Sequence, residues 1–159
     1  MKHILYAFLL ALIGYIIFYV AIEHRRTRNG PWQVTFTRSA AGEPALVINQ
    51  PKLAITNVQV SFSQANSATA TNPATLLFRQ PQPVPYDVPF GKCVFMDTTF
   101  LPGTLTFRLF GHEIELLPRV LIIDHQEHPW RPDATLILPP SQAAPEAGAP
   151  RKSSPADRR

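Results

Sequence analysis

The chain has 159 residues, of which 45% are hydrophobic, 16% are charged and one is cysteine, and its formal net charge is +4. This length suits one domain of ordinary size, and a lone cysteine excludes an intrachain disulfide. Positions 1–28 hold four Lys and Arg and one Glu, and positions 139–159 hold four Lys and Arg and two acidic residues. Positions 29–138 hold seven Lys and Arg and eight acidic residues. The folded part therefore lacks the basic excess expected of a nucleic-acid-binding protein.

Residues 4–22 form a continuous apolar run, ILYAFLLALIGYIIFYVAI, behind a short tail at 1–3. Nineteen helical residues extend about 28 Å, which is close to the roughly 30 Å hydrocarbon core of a bilayer. The run exceeds the apolar region of a secretory signal peptide, and no A-x-A-like cleavage site follows it. The sequence therefore predicts an uncleaved signal-anchor, a transmembrane helix that makes the chain a single-pass membrane protein.

The ends of this helix carry residues suited to the membrane interface, and a basic juxtamembrane linker is predicted at 23–31. Because more Lys and Arg follow the helix than precede it, the positive-inside rule favours a cytoplasmic domain. Long domains translocate largely regardless of charge, so an extracytoplasmic domain is the alternative. The side chains expected at the interface are Tyr6, Tyr19, Arg25, Arg26 and Arg28.

Small residues recur along one side of the predicted helix. Ala7, Ala11 and Gly14 follow an i, i+4, i+7 spacing, which is typical of close helix–helix contacts in membranes. The stripe predicts weak self-association, although Ala and Gly are common in any membrane helix.

A β-rich domain is predicted over 32–138. Trp32, Val34 and Phe36 alternate with polar residues, as in a half-buried strand, and PALVIN forms the next strand. In LAITNVQVSF the apolar positions change from odd to even, which requires a bulge at Thr56 and Asn57. The polar segment SQANSATATNPA that follows predicts a loop.

The proline-rich segment RQPQPVPYDVPF contains no PxxP spacing. Its prolines fall on odd positions, whereas Val84, Tyr86, Val88 and Phe90 fall on even ones. Because proline is tolerated where no ladder hydrogen bond is needed, the segment predicts an edge strand with these four side chains facing inward.

A tight hairpin is predicted in TLTFRLFGHEIELLP. With Gly111 and His112 as a two-residue type II′ turn, Phe110 pairs with Glu113 and Arg108 pairs with Glu115. This register places the apolar residues on one face and the charge pair on the other.

Together with GKCVFMDTT, RVLIID and DATLIL, these segments give about eight or nine short strands and no soluble helix. The fold class expected is all-β, a sandwich, jelly-roll or small barrel, preceded by one N-terminal transmembrane α-helix. Cys93 is expected to be a small buried residue of a strand, and Trp32 and Trp130 are expected to pack in or around the core. The tail at 139–159 is rich in Pro, Ala and Ser and is predicted to be disordered.

The stretch IIDHQEHPW contains several side chains that can ligate a metal. Asp124, His125, Glu127 and His128 lie within five positions, and His112 at the other predicted hairpin tip is a further weak candidate. Pro129 disfavours the helical turn that would bring the two histidines together, so the stretch is interpreted as a loop that leaves a buried strand. It becomes chemically relevant only if the tip with His112 folds beside it.

No catalytic motif is present: the chain has no G-x-S-x-G, no phosphate-binding glycine loop and no H-E-x-x-H. The leading hypothesis is therefore a non-enzymatic adaptor or accessory subunit of a membrane or envelope complex, without a cofactor, that contacts the lipid bilayer and protein partners in the membrane. The alternative is a membrane-tethered domain that binds a metal, a small ligand or a lipid.

Overall fold

The computed structural model describes residues 2–63 and 72–140. In this part of the chain helix α1 is followed by eleven strands, with a short 3-10 turn at Pro51–Leu53 between the second and third. The bounds are α1 Lys2–Thr27, β1 Trp32–Arg38, β2 Pro44–Gln50, β3 Ile55–Phe62, β4 Ala74–Phe78, β5 Tyr86–Val88, β6 Gly91–Asp97, β7 Thr104–Leu109, β8 His112–Leu116, β9 Val120–Ile123, β10 Gln126–Pro129 and β11 Thr135–Leu138. Most of the predicted SQANSATATNPA loop and of the predicted C-terminal tail lies outside the described residues.

The strands form two sheets. The first has five strands in the order β11-β3-β2-β1-β4, and the second has six in the order β10-β9-β8-β7-β6-β5. All pairs are antiparallel except β11 with β3. The sheets pack face to face, since the ring of Phe107 from the second lies 6.2 Å from Phe36 and 5.6 Å from Phe78 of the first. The structure thus confirms an all-β domain after a single helix.

The core lies between the two sheets and consists of the residues that alternate inward along each strand. Trp32, Val34 and Phe36 of β1 are fully buried, as their spacing predicts. Cys93 is also buried, among the same side chains. The other large, fully buried residues are Leu46, Ile48, Ile55, Phe62, Leu105, Phe107, Leu109, Ile114, Leu116 and Leu121.

Helix α1 has no buried residue and is long and apolar enough to cross a membrane. Its 26 residues extend about 39 Å. The helix continues to Thr27, so the first part of the linker predicted at 23–31 is helical.

The C-terminal turn of α1 is hydrogen bonded to the domain. The backbone N–H of Leu101 donates to the carbonyl of Arg26 at 2.8 Å, and Arg26 Nε donates to the carbonyl of Thr99 at 3.0 Å. Trp32 Nε1, at the start of β1, donates to the carbonyl of Gly103 in the same loop at 3.0 Å. We call this end of the sandwich the helix-proximal end and the opposite end, with the β7–β8 and β9–β10 turns, the distal end.

The bulge predicted in β3 is confirmed. Ile48 pairs with Val58 and Gln50 pairs with Ile55, so Thr56 and Asn57 together face one residue of β2. Asn57 has a φ of 51°. The extra residue changes which side of the strand faces the core, as the switch from odd to even apolar positions requires.

The predicted register of the β7–β8 hairpin is wrong, because the turn lies one residue earlier than predicted. The turn residues are Phe110 and Gly111, with φ values of 51° and 83°, and the signs fit a type I′ turn. Arg108 therefore pairs with Glu113 instead of Glu115. The two registers place the same residues inward and each gives Arg108 an acidic partner, so neither the apolar pattern nor the charges distinguish them.

The proline-rich segment is an edge strand over a shorter range than predicted. Only Tyr86–Val88 pairs with β6 at the edge of the second sheet. Val84 is 40% exposed and does not face the core. The prolines before Tyr86 lack the backbone N–H that a ladder needs, so pairing begins after the last of them.

Two strands were not expected from the sequence, β4 and β10. Ala74–Phe78 is a five-residue edge strand directly after a polar segment. Gln126–Pro129 is an edge strand made of polar residues and proline, and its pairing with β9 reduces the predicted loop at 124–128 to a two-residue turn at Asp124 and His125. Neither segment shows the apolar alternation that identifies a strand.

Candidate functional site

The β7–β8 and β9–β10 turns meet at the distal end, as the sequence interpretation required for a chemical role of this region. His112 is buried, with 5% of its surface exposed, and its Nδ1 lies 2.5 Å from Oδ2 of Asp124. Asp124 Oδ1 accepts a hydrogen bond from the backbone N–H of Glu113 at 2.9 Å. His112 Nε2 lies 2.9 Å from the carbonyl of Pro139, just after β11. One imidazole thus connects three segments of the distal end.

Asp124 is held as a carboxylate in this arrangement. Partial burial raises the pKa of its carboxyl, but hydrogen bonds from His112 and from the Glu113 backbone, together with the nearby His112 and His125, outweigh burial and keep the pKa below its usual range. Because a carbonyl can only accept, His112 Nε2 must donate to Pro139.

The five predicted metal-ligand candidates do not converge on one point. Both ring nitrogens of His112 are engaged, so neither offers a lone pair to a metal. His125 lies at the turn, Glu127 points to the outer face of the second sheet, and His128 lies on the inner side of β10 opposite Leu121. The strand formed by Gln126–Pro129 separates these side chains, because neighbouring residues of a strand point to opposite faces.

Among the described residues, one grouping has the spacing to hold a metal ion, and it includes only one predicted candidate. Ligand atoms of Glu113, Glu115 and His125 lie within 4.8 Å of one another. Arg108 Nε already contacts Glu113 Oε2 at 3.2 Å and supplies a positive charge there. A partly exposed pair of glutamates with an arginine partner is accounted for as part of a solvated sheet face.

The His112–Asp124 pair resembles part of a catalytic triad, but among residues 2–63 and 72–140 it has no nucleophile beside it, since Nε2 of His112 faces a backbone carbonyl. The single thiol is elsewhere, in β6, where Cys93 Sγ donates to the carbonyl of Phe95 at 3.4 Å. Burial raises the pKa of the Cys93 thiol, so it is not activated as a nucleophile. The geometry of both groups is that of structural residues.

A cleft of about 450 Å³ with a mixed polar and apolar lining opens between the sheet edges formed by β11 and β10. Its apolar lining includes Val58, Leu121, Trp130 and Leu136, and Arg131 is also among its lining residues. Trp130 is fixed by a hydrogen bond from its Nε1 to the carbonyl of Leu117 at 2.9 Å, and its ring lies 5.4 Å from Trp32. Both tryptophans therefore pack at the helix-proximal end, as expected.

The outer faces of the two sheets differ sharply in charge, which the sequence analysis did not anticipate. On the first sheet the described outward residues are all uncharged, and all of them except the buried Ala45 and Ser61 are at least partly exposed: Gln33, Thr35, Thr37, Ala45, Val47, Asn49, Gln59, Ser61, Thr75, Leu77, Thr135 and Ile137. We call them the uncharged face. On the second sheet the outward residues include seven charged ones: Asp87, Lys92, Asp97, Arg108, Glu113, Glu115 and Glu127.

The residues predicted at the membrane interface lie on α1, except Arg28, which directly follows the last residue of the helix. Tyr6 and Tyr19 are exposed, near opposite ends of the apolar run. Arg25 and Arg28 are exposed, whereas Arg26 is tied to the loop at 98–103. The small residues Ala7, Ala11 and Gly14 are exposed along the helix.

Two features thus stand out: the uncharged face and the His112–Asp124 pair. The pair stabilises a strand junction, whereas nothing in the fold requires five neighbouring strands to exclude charge from their outward positions. Comparison of the chain with protein-family models, with curated protein sequences and with solved structures gives no match.

Proposed function

We propose that this protein is a non-enzymatic adaptor, held at a membrane by α1, that binds a partner protein of the same membrane through the uncharged face. The observation that supports this proposal is the absence of charge from the described outward positions of β11, β3, β2, β1 and β4. A sheet face that only contacts water has no reason to exclude Lys, Glu and Asp, and the other sheet is rich in them. Depletion of charge is the compositional mark of an interface core.

The chemistry of this face suits a protein partner. Large apolar side chains are exposed on both of its edge strands, with Leu77 of β4 52% exposed and Ile137 of β11 68% exposed. Polar side chains between them bond one another: Thr35 Oγ1 lies 2.9 Å from Thr75 Oγ1, and Gln59 Nε2 donates to Ser61 Oγ at 3.0 Å. Because these groups are already paired, covering them costs little desolvation free energy.

The size of the face favours a partner in the same membrane. Five strands spaced about 4.8 Å apart and about five residues long cover roughly 400 to 500 Å², so both partners together would bury roughly 1,000 Å². That is the lower limit for a specific interface between freely diffusing proteins. Anchoring both partners in one membrane raises their effective concentration, which compensates for a small contact area.

The proposal is tested by site-specific photocrosslinking of the full chain in its native membrane. A benzophenone amino acid replaces Thr35 on the uncharged face, and in a parallel variant it replaces Thr104 on the outer face of the second sheet; both threonines are half-buried on a sheet surface. The Thr35 position is expected to give a discrete adduct with one protein, identified by mass spectrometry, and the Thr104 position is not.

Two matched lysine variants show whether the adduct depends on the face. Val47→Lys places a charge in the middle of the uncharged face, whereas Ile122→Lys places one on the other sheet, and both residues are half-buried aliphatics of central strands. Val47→Lys is expected to abolish the Thr35 adduct and Ile122→Lys to preserve it. Equal adducts from both probe positions, or an adduct that survives Val47→Lys, would contradict the proposal. An adduct with a second copy of this chain would replace the separate partner with self-association.

A further inference from the structure

The body of the protein is near neutral, but its basic residues are not evenly placed. Of the seven Lys and Arg between positions 29 and 138, four lie at the helix-proximal end: Lys52, Arg79, Arg119 and Arg131. We propose that this basic end binds the anionic headgroups of the bilayer that α1 spans. The inference rests on the membrane anchoring in the proposed function and adds a second contact, between the domain itself and the lipid surface.

The positions of Lys52 and Arg79 follow from contacts at the start of β1. Gln50 Nε2 donates to the carbonyls of Gly30 and Pro31 at 2.9 and 3.0 Å, which places the turn carrying Lys52 beside the end of α1. Trp32 pairs with Phe78, so Arg79, the next residue, lies at the same helix-proximal end.

The positions of Arg119 and Arg131 follow from Trp130. Its ring packs on Trp32, and its Nε1 donates to the carbonyl of Leu117. The turn between β8 and β9, which carries Arg119, and the segment after β10, which carries Arg131, therefore lie at the helix-proximal end on the second sheet. The four residues come from four separate connections that the fold brings to one end.

All four side chains are exposed, and among the described residues none of them lies within 4.0 Å of a carboxylate. The basic residues nearer the distal end are different, because Lys92 contacts Asp87 at 3.8 Å and Arg108 contacts Glu113 at 3.2 Å. The charges of the helix-proximal end are thus available to an external anion.

The end of the helix adds to the same basic surface. With Arg25, Arg26 and Arg28, the helix-proximal end holds seven Lys and Arg against the three acidic residues Glu23, Asp97 and Asp133. All three acids have internal partners: Glu23 lies 3.6 Å from Arg26 Nη1, Asp97 accepts from the backbone N–H of Thr99, and Asp133 accepts from Asn57 Nδ2. Basic residues next to a membrane helix are attracted to an anionic lipid surface.

An exposed aromatic residue beside the basic residues favours a lipid surface over a soluble polyanion as the ligand of this end. Phe100 is 58% exposed, in the loop whose flanking residues Thr99 and Leu101 both bond Arg26. It therefore lies at the level of the last turn of α1, where the helix leaves the apolar layer. Phe is one of the residues that interfacial helices bury at the boundary between headgroups and acyl chains, whereas a soluble anion offers Phe100 nothing to contact.

The inference is tested by lysine acetylation of the full chain in nanodiscs, because the domain carries two exposed lysines at opposite ends, Lys52 and Lys92. The reactivity of each is measured by mass spectrometry in discs of phosphatidylcholine alone and in discs that also contain phosphatidylglycerol. Lys52 is expected to react about fivefold more slowly in the anionic discs, the factor that one basic residue contributes at such a surface. Lys92 is expected to react equally in both, and high salt is expected to remove the difference at Lys52.

A triple variant, Arg79→Gln, Arg119→Gln and Arg131→Gln, is expected to lose most of the protection of Lys52. The control, Arg38→Gln with Arg108→Gln, removes positive charge from the distal half and is expected to keep it. If Lys52 of protein embedded in the discs reacts equally fast in both kinds of disc, this inference is overturned, whereas the proposed anchoring by α1 is not affected. Failure of the wild-type chain to stay in neutral discs after alkaline extraction would instead contradict the anchoring itself.

Discussion

At the residue scale, His112 and Asp124, which the sequence offers as candidate metal ligands, have a structural role in the fold. Asp124 is the first residue of a two-residue turn and has a φ of 49°, a conformation that Asp tolerates better than most residues. Its carboxylate fixes both the buried ring of His112 and the backbone of Glu113. The sequence could present these residues as candidates, but only the pairing of β8 with β9 brings position 112 beside position 124.

Replacing Asp124 with Asn tests the value of the carboxylate. Asn keeps the shape of the side chain and tolerates the turn, but it does not carry the charge that pairs with His112. We expect the free energy of unfolding at neutral pH to fall by about 1 kcal/mol, which is below the roughly 1.5 to 3 kcal/mol of hydrogen bonds to charged groups because the carboxylate is half-exposed and screened by water. Urea denaturation followed by tryptophan fluorescence measures the change.

The same substitution changes the response to acid. Because the pKa of Asp124 is lower in the folded protein than in the unfolded chain, its contribution is present above about pH 4 and is lost as the pH falls through the folded-state pKa. The difference between wild type and Asp124→Asn is therefore expected to shrink below about pH 4. Glu127→Gln, on an exposed edge strand, is the control and should leave neutral stability unchanged. A difference that stays constant across this acid range would rule out the carboxylate as its source.

At the scale of elements, the sequence predicts strands well where one face is buried and poorly at edges. β1, β2 and the bulge of β3 follow directly from alternating apolar residues, because burial on one side imposes a period of two. β4 and β10 lie at sheet edges, where β10 buries little and its sequence, QEHP, contains no large apolar residue. The turn of the β7–β8 hairpin was misplaced because two registers satisfy the same pattern, and the choice depends on backbone conformation at Phe110 and Gly111.

The loop between β6 and β7 depends on a glycine, and we expect Gly103→Ala to lower the free energy of unfolding by about 2 to 4 kcal/mol. Gly103 has a φ of 75°, and a Cβ there would clash with the carbonyl oxygen of Asp97. Its own carbonyl accepts the Trp32 hydrogen bond, so the strain reaches the junction with α1. Gly42→Ala is the matched control, since Gly42 has a φ of 80° but open space around it.

For Gly42→Ala, only the conformational cost remains, about 1 kcal/mol. Both variants are measured by urea denaturation of the full chain in mild detergent, with tryptophan fluorescence as the signal. Equal losses for the two substitutions would mean that the loop can move away from Asp97 and that the close backbone approach is not required for stability.

At the scale of the whole molecule, the charged residues of a nearly neutral domain are unevenly distributed over its surface. The first sheet carries none on its described outer face, the second carries seven, and the helix-proximal end collects basic residues from four connections. Composition could not reveal this distribution, because it depends on which strands are neighbours and which end of each strand lies near α1. An uncharged face next to a basic end is the arrangement expected of a domain whose helix-proximal end contacts a membrane and whose uncharged face contacts a protein.

This division of roles predicts that α1 sets the location of the domain and contributes little to its fold. The described core residues all lie between Trp32 and Leu138, and no residue of α1 is buried. A chain that begins at residue 29 loses the two long-range hydrogen bonds of Arg26 with Thr99 and Leu101, at about 1 kcal/mol each, and the local bond from Gly30 to the carbonyl of Thr27, which water replaces at the new N-terminus. We therefore expect it to unfold cooperatively, with a free energy of unfolding within about 2 kcal/mol of that of the full chain.

The shortened chain is also expected in the soluble fraction, whereas the full chain should remain in the membrane pellet after alkaline extraction. Urea denaturation and a near-ultraviolet circular dichroism spectrum, which reports the packing of Trp32 against Trp130, measure the fold of the shortened chain. If it lacked that spectrum or unfolded without a cooperative transition, the helix would be part of the folding unit. The uncharged face would then have to be studied only in the membrane-bound protein.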